Sequence, residues 1–429
     1  MGDDDLHRGV DLLQQLERIL DHDNLIDELG FVHPSQFAAL DDEVVLDAQK
    51  PSDEMSTRSI SGSDVLDYDR GAFWYSNHKL AISIQVLAQL YRAALRAYLD
   101  ARRRYKECMN SSGSVDAVDD AIECIEKELL RHSKALLIQN YDFLSAWNTR
   151  KQILSRKHEL SAFMDELQLS ALILSYSPKS ECAWSHRRWV IKIVAKKFQE
   201  LHEIVNGESE LVKKIAEKSK MNYRAWNHCW WLIPYMTRTQ VLDELDKSRK
   251  WAESSVADNC CFHYRRRLLL RMVNTDASFS NYSDICSLWK EEFKWNEILI
   301  LRYMGRELCK ALWVHRRFLS QFWIKHFAAV KQELSPHLED RHHNGPVLDA
   351  FLAEEMQLLR TCLSLKADEF EDTRIQSQHA ASYILWIWKQ SPLLVKSKLQ
   401  ERICEMGDLK TMLVKTCPEK FSLWESLLA

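Results

Sequence analysis

Apolar side chains recur at helical spacing along residues 6–20 (LHRGVDLLQQLERIL) and again along 80–99 (LAISIQVLAQLYRAALRAYL), and each stretch predicts an amphipathic helix. Between them, Asp41 to Arg70 carries Pro51, repeated serines and acidic residues but little apolar content, the composition of a mobile connector. Asn110–Val115 (NSSGSV) and Arg341–Pro346 (RHHNGP) read as further loops. The chain thus divides into an N-terminal helical segment (1–40), a flexible acidic and serine-rich connector (41–70) and a helical body (71–429).

Within the body one pattern returns five times: SAWNTRKQIL at 145–154, CAWSHRRWVI at 182–191, RAWNHCWWLI at 224–233, FHYRRRLLLR at 262–271 and ALWVHRRFLS at 311–320. Aligned on one register, these segments place Trp147, Trp184, Trp226, Tyr264 and Trp313 at the same position, with Arg150, Arg187, Arg267 and Arg316 three residues later and Cys229 in the third unit. Residues at i and i+3 share a helix face, so each aromatic and its arginine address the same neighbour. The aromatics lie 37, 42, 38 and 49 residues apart, room for two helices and two loops per unit. Amphipathic stretches at 160–176, 211–219 and 241–256 supply the partner helices, and Ser177-Pro178 has the chemistry of a helix start. The expected fold is all-α: a right-handed α-α superhelix, a crescent-shaped solenoid of helical hairpins, clearest over about 140–320. FSLWESLL at 421–428 keeps Trp424 without the arginine, as a terminal repeat would.

Composition narrows this further. Hydrophobic residues make up 46% of 429 positions, enough for a large core, and only 10 glycines and 8 prolines occur, which disfavours an all-β fold. The 58 basic and 62 acidic residues leave a formal charge of −4, so no global positive field favours nucleic acid. The acidic start, Met1-Gly2-Asp3-Asp4-Asp5, is unlike a secretory signal, Leu6 breaks the N-myristoylation pattern, and no apolar run is long enough for a membrane span. The expected location is cytoplasmic. Eleven cysteines occur without a CxxC pair and read as small buried apolar residues of a reducing compartment.

A tryptophan at each seam between hairpins has a structural reading, large buried area with an indole N–H bonded to a loop carbonyl. Arg187-Arg188, Arg265-Arg266-Arg267 and Arg316-Arg317 carry two readings: a basic rim that attracts an anion, or partners for carboxylates on adjacent helices.

The five units resemble the repeat of protein prenyltransferase α subunits, an aromatic preceded by Asn-Tyr or Pro-Lys-Asn-Tyr and followed by a His and Arg pair. Its best copies here are Pro178-Lys179-Ser180-Glu181-Cys182-Ala183-Trp184-Ser185-His186-Arg187-Arg188 and Asn222-Tyr223-Arg224-Ala225-Trp226-Asn227-His228. The resemblance runs firmly from about Asn140 to Leu319. It implies a partner-binding α subunit of a heterodimeric enzyme, with catalytic zinc, isoprenoid pocket and most of the peptide site on a separate β subunit, the Rab type of geranylgeranyltransferase β among the candidates. It further implies transfer of an isoprenoid, geranylgeranyl by preference, to the C-terminal cysteine of a protein substrate.

Carried over residue by residue, Lys179 approaches the isoprenoid diphosphate, and Asn222 and Tyr223 lie near the substrates, with Arg224 beside them. The sequence departs from the family at Glu181, where the repeat has tyrosine, and at Arg224, where histidine is frequent. The bland alternatives are a surface lysine at 179 and a helix cap at 222. No HExxH, GxxxxGK[ST] or GxGxxG occurs, so no catalytic residue and no metal site is assigned to this chain alone. Adjacent Cys260 and Cys261 read as packing. The rival reading is a non-enzymatic α-solenoid scaffold for other proteins; RNA binding through the arginines ranks below both.

Overall fold

The computed structural model describes residues 3–48, 68–110, 115–198, 201–275, 282–303, 310–328, 345–364, 371–405 and 409–428. Most of the proposed connector (49–67), the loop at 111–114 and His342-His343 lie outside the described residues. The elements fall into two compact units, Met1–Cys229 and Trp230–Ala429.

In the first unit, α1 (Asp3–His22) is followed by β1 (Glu28–Val32), α2 (Phe37–Ala48), β2 (Phe73–Ser76), β3 (Lys79–Ser83) and α3 (Leu87–Met109). Then come α4 (Val115–Gln139), α5 (Leu144–Leu154), α6 (Leu160–Tyr176), α7 (Glu181–Lys197), α8 (Leu201–Lys218) and α9 (Tyr223–Leu232), whose last turn passes into the second unit. Consecutive helices pair as α4 with α5 and α6 with α7, and α6 also touches α8.

The second unit pairs α10 (Arg238–Ser254) with α11 (Asn259–Thr275), α12 (Tyr282–Arg302) with α13 (Lys310–Trp323), and α14 (Gly345–Leu363) with α15 (Glu371–Gln390). It closes on α16 (Leu393–Glu405), α17 (Leu409–Thr416) and α18 (Phe421–Leu428). The helical hairpins expected from the aromatic register are therefore present in each unit. Among the described residues no helix is long and apolar enough to cross a membrane.

The second helix of each central hairpin begins on a polar cap. Ser180 accepts from the Ala183 N–H at 3.2 Å, Asn222 Oδ1 from the amides of Arg224 and Ala225, and Asp258 Oδ1 from those of Cys260 and Cys261. Ser177 and Pro178, read as the start of α7, instead close α6 and form the turn before Ser180.

Strands are the main departure from the expected all-α fold. Residues 80–83 are strand rather than helix, and α3 starts only at Leu87. Asn77 and His78 both adopt left-handed φ, 48° and 60°, the signature of a two-residue type I′ turn, so Phe73–Ser76 and Lys79–Ser83 fold back as a hairpin. β1 joins β3 in parallel, giving the order β1-β3-β2. Asp23 fastens this corner: its Oδ2 accepts from the Tyr75 hydroxyl at 2.8 Å and lies 2.8 Å from His78 Nδ1. The N-terminal segment thus packs with the body, α1 lying on α3, and helix α2 carries it on to Ala48, inside the stretch read as connector.

Candidate functional site

The repeated arginines are buried and paired. Arg187 on α7 grips Glu208 on α8 with two parallel bonds, Nε to Oε2 at 2.5 Å and Nη2 to Oε1 at 2.6 Å, while its Nη1 donates to the Leu167 carbonyl and to Ser170 Oγ. The next hairpin completes the site, with His228 Nε2 2.7 Å from Glu208 Oε2. One hairpin earlier the same set recurs: Arg150 on Glu166, Leu130 and Ser133, with His186 Nε2 2.7 Å from Glu166.

In the second unit, Arg265 holds Glu292, Leu245 and Ser248, with His315 Nε2 2.9 Å from Glu292, and Arg316 holds Glu355, which also accepts from the Tyr383 hydroxyl. Each glutamate is therefore shared between the arginine of one hairpin and the histidine or tyrosine of the next. The seam aromatic covers that histidine: ring centroids lie 4.5 Å apart for Trp147 and His186, 4.8 Å for Trp184 and His228.

This geometry corrects the fourth unit. Arg265, not Arg267, takes the ladder position, because it alone reaches a carbonyl and serine spaced as Leu167 and Ser170 are. Tyr264 stands where His228 stands and donates to Glu244 at 2.9 Å, and Phe262 takes the tryptophan's place, 5.3 Å from His315. Arg267 is exposed and lies over the Trp230 ring at 5.0 Å. Three consecutive arginines permit either register; burial on the helix selects Arg265. Trp147, Arg150, Trp184, Arg187, Trp313 and Arg316 occupy the expected register, all buried, as is Trp226.

Burial and charge together fix the protonation of these groups. Desolvation opposes the charge on Glu166 and Glu208, but the adjacent guanidinium and the bonded imidazole outweigh it and hold both carboxyls at about 2. Desolvation pulls His186, His228 and His315 below the usual imidazole range. Since an ionised carboxylate only accepts, the neutral rings carry their proton on Nε2.

A base with a depressed folded pKa stays neutral while the unfolded chain takes up a proton. Stability is then full above about pH 6.5 and falls as pH drops below it. The glutamates act in the same direction, their contribution present above about pH 4.5 and lost towards about 2. Thermal unfolding followed by circular dichroism should show Tm declining from pH 7 to 5, with a shallower decline in a His186→Gln, His228→Gln variant; parallel slopes would refute the assignment.

The substrate-facing candidates gather at the N-terminal edge of α7 and α9. Trp184 Nε1 and Asn222 Nδ2 both donate to the Pro178 carbonyl, at 3.1 and 2.9 Å, which ties the Lys179 turn to the start of the second helix of the next hairpin. Asn222 is buried and caps α9, so the cap reading holds. Lys179 is exposed on the tied turn, and Tyr223 is 62% exposed. The two departures from the family pattern meet: Glu181 accepts from Arg224, and from Arg188 at 2.7 Å. The edge therefore presents a lysine, a tyrosine and an Arg-Glu-Arg cluster in which one carboxylate is shared by two guanidiniums, leaving a net positive charge.

A continuous basic rim is not formed. Arg187, Arg265 and Arg316 are inside, Arg188 is ion-paired, and Arg317 lies over Trp386 at 5.8 Å. Cys261 is fully buried, its thiol 3.6 Å from the Ser248 carbonyl, and burial pushes Cys260 up to about 11. Among the described residues no group of three or more histidines, cysteines or carboxylates is arranged to hold a metal. The ladder glutamates escaped the sequence reading, although Glu166-Leu167-x-x-Ser170 and Glu244-Leu245-x-x-Ser248 repeat one pattern.

Comparison with known proteins agrees with this geometry. The model of the protein prenyltransferase alpha subunit repeat matches residues 163–194, 205–236 and 241–272, each one first helix followed by one second helix. Counting equally from the three starts reaches Trp184, Trp226 and Phe262, the register given by the ladder. The chain is 27% identical over 284 residues to protein prenyltransferase alpha subunit repeat-containing protein 1 of Homo sapiens, covering 54% of this chain and 68% of that one. It is 29% identical to the 1-B protein of that name in Xenopus laevis, over 48% of this chain and 58% of the relative. It is also 29% identical to the geranylgeranyl transferase type-2 subunit alpha of Saccharomyces cerevisiae, over 34% of this chain and 46% of that subunit. The matched stretch thus spans roughly half to two thirds of these relatives.

Proposed function

We propose that this chain, which carries three copies of the protein prenyltransferase alpha subunit repeat, is the α subunit of a heterodimeric protein prenyltransferase of geranylgeranyl type. A separate β chain, of the Rab type in the first instance, supplies the zinc and the isoprenoid pocket, and the complex works in the cytoplasm on proteins with a C-terminal cysteine. The observation that carries this reading is the tied turn: Trp184 and Asn222 hold the Pro178 carbonyl and leave Lys179 exposed beside it. A lysine on a rigid turn offers an ammonium whose position costs little to organise, and it stabilises the negative charge that grows on a departing diphosphate.

Co-expression with each type of β subunit, followed by transfer of labelled geranylgeranyl and farnesyl diphosphate to cysteine-terminated proteins, tests the proposal. Lys179→Ala should lower turnover by about 10²-fold while the heterodimer still forms. Normal turnover would remove Lys179 from the site. Failure of every β subunit to bind would favour the scaffold reading, which the pairing of Glu181 with Arg224 on the same edge supports.

A further inference from the structure

A groove of about 820 Å³ lies between α6 and α8, bounded at one side by the residues that lead into β1. Its floor has an unusual regularity. From α6 the lining includes the apolar Leu160, Met164, Leu167, Ala171 and Leu174, which step alternately by four and three, and from α8 Ile204, Leu211 and Ile215 beside the buried, ion-paired Glu208. That is the spacing by which helices present a seam to another helix. Met164, an apolar residue at the second step, is 43% exposed.

Two further features bear on what would occupy the groove. Gly207 lies inside α8 and lines the groove, yet a Cβ built there would meet no atom within 4 Å. Packing within the chain therefore does not require glycine at a position where it costs a helix about 1 kcal/mol against alanine. A backbone lying close against α8 does require it. The rim is acidic: Asp27, Glu28, Glu203, Glu210 and Glu217 line it with Lys214 and Lys218, and Lys218 is already 2.7 Å from Glu28.

We infer that this groove is a docking site for an amphipathic helix of a partner protein, apolar stripe inward and lysines or arginines along its flanks. The length of α6, 17 residues, corresponds to about 25 Å of groove, or some four to five turns of the incoming helix. Complementary charge sets its direction and its salt dependence, and the heptad-spaced floor sets its register.

The test uses the full chain and a displayed library of 18-residue segments with randomised sequence. Selection should return amphipathic helices enriched in Lys and Arg over Asp and Glu beside the apolar stripe, with binding that weakens as salt is raised. Gly207→Leu should weaken those binders at least tenfold while Tm stays level or rises. Binders that are extended, acidic or uncharged at the flanks, binders that hold Gly207→Leu as well as the native chain, or no binders at all would each overturn the inference.

Discussion

Glu208→Ala is expected to lower the stability of the folded chain by about 3 to 5 kcal/mol, because it leaves Arg187 charged, buried and without a carboxylate. The glutamate is 1% exposed and accepts both guanidinium nitrogens and the His228 imidazole, so water cannot replace it without opening two hairpins. Urea unfolding read by tryptophan fluorescence reports the loss, since Trp184 lies tilted against His228. Glu208→Gln, which keeps the shape and loses the charge, should fall between the two. Replacing the pair together, Arg187→Met with Glu208→Leu, should recover most of the loss, because no unpaired charge then remains inside. A Glu208→Ala protein as stable as the native one would show that the ladder does not hold the hairpins.

The second large effect separates two neighbouring arginines. Arg265→Ala should cost about 3 to 5 kcal/mol, since Arg265 is fully buried and its loss strips Glu292 of a two-bond partner and removes the guanidinium donor from the Leu245 carbonyl and Ser248. Arg267→Ala, which removes only an exposed contact over Trp230, should cost under about 1 kcal/mol. The reverse order in parallel urea titrations would restore the register that aligns Tyr264 with the tryptophans.

That register shows where sequence reading succeeded and failed. Trp147, Trp184, Trp226 and Trp313 were legible because a large aromatic at near-constant spacing has few causes other than a repeated seam. The fourth unit was not, since FHYRRR offers two aromatics and three arginines, and only burial distinguishes them. The glutamates were invisible for a different reason: on an amphipathic helix a carboxylate reads as solvent-facing until its partner is placed opposite it. Residues 80–83 were absorbed into the helix that follows, because a short apolar run does not declare its period, and the Asn77-His78 turn is a weaker signal than Asn-Gly. At the edge, Lys179 and Asn222 were each singled out as substrate-facing candidates, but the Pro178 carbonyl that joins their turns has no side chain to reveal it. The pairing of Glu181 with Arg224 was likewise hidden, although both had been noted as departures.

The shared glutamates bear on how such a protein can be recombined. Each hairpin lends its arginine forward and takes its glutamate's second donor from its own returning helix, so a single hairpin is not an interchangeable module. A transplant cut between Arg187 and Glu208 strands a cation on one side and an anion on the other. Shuffled repeat libraries of this chain should therefore reject junctions within 187–208.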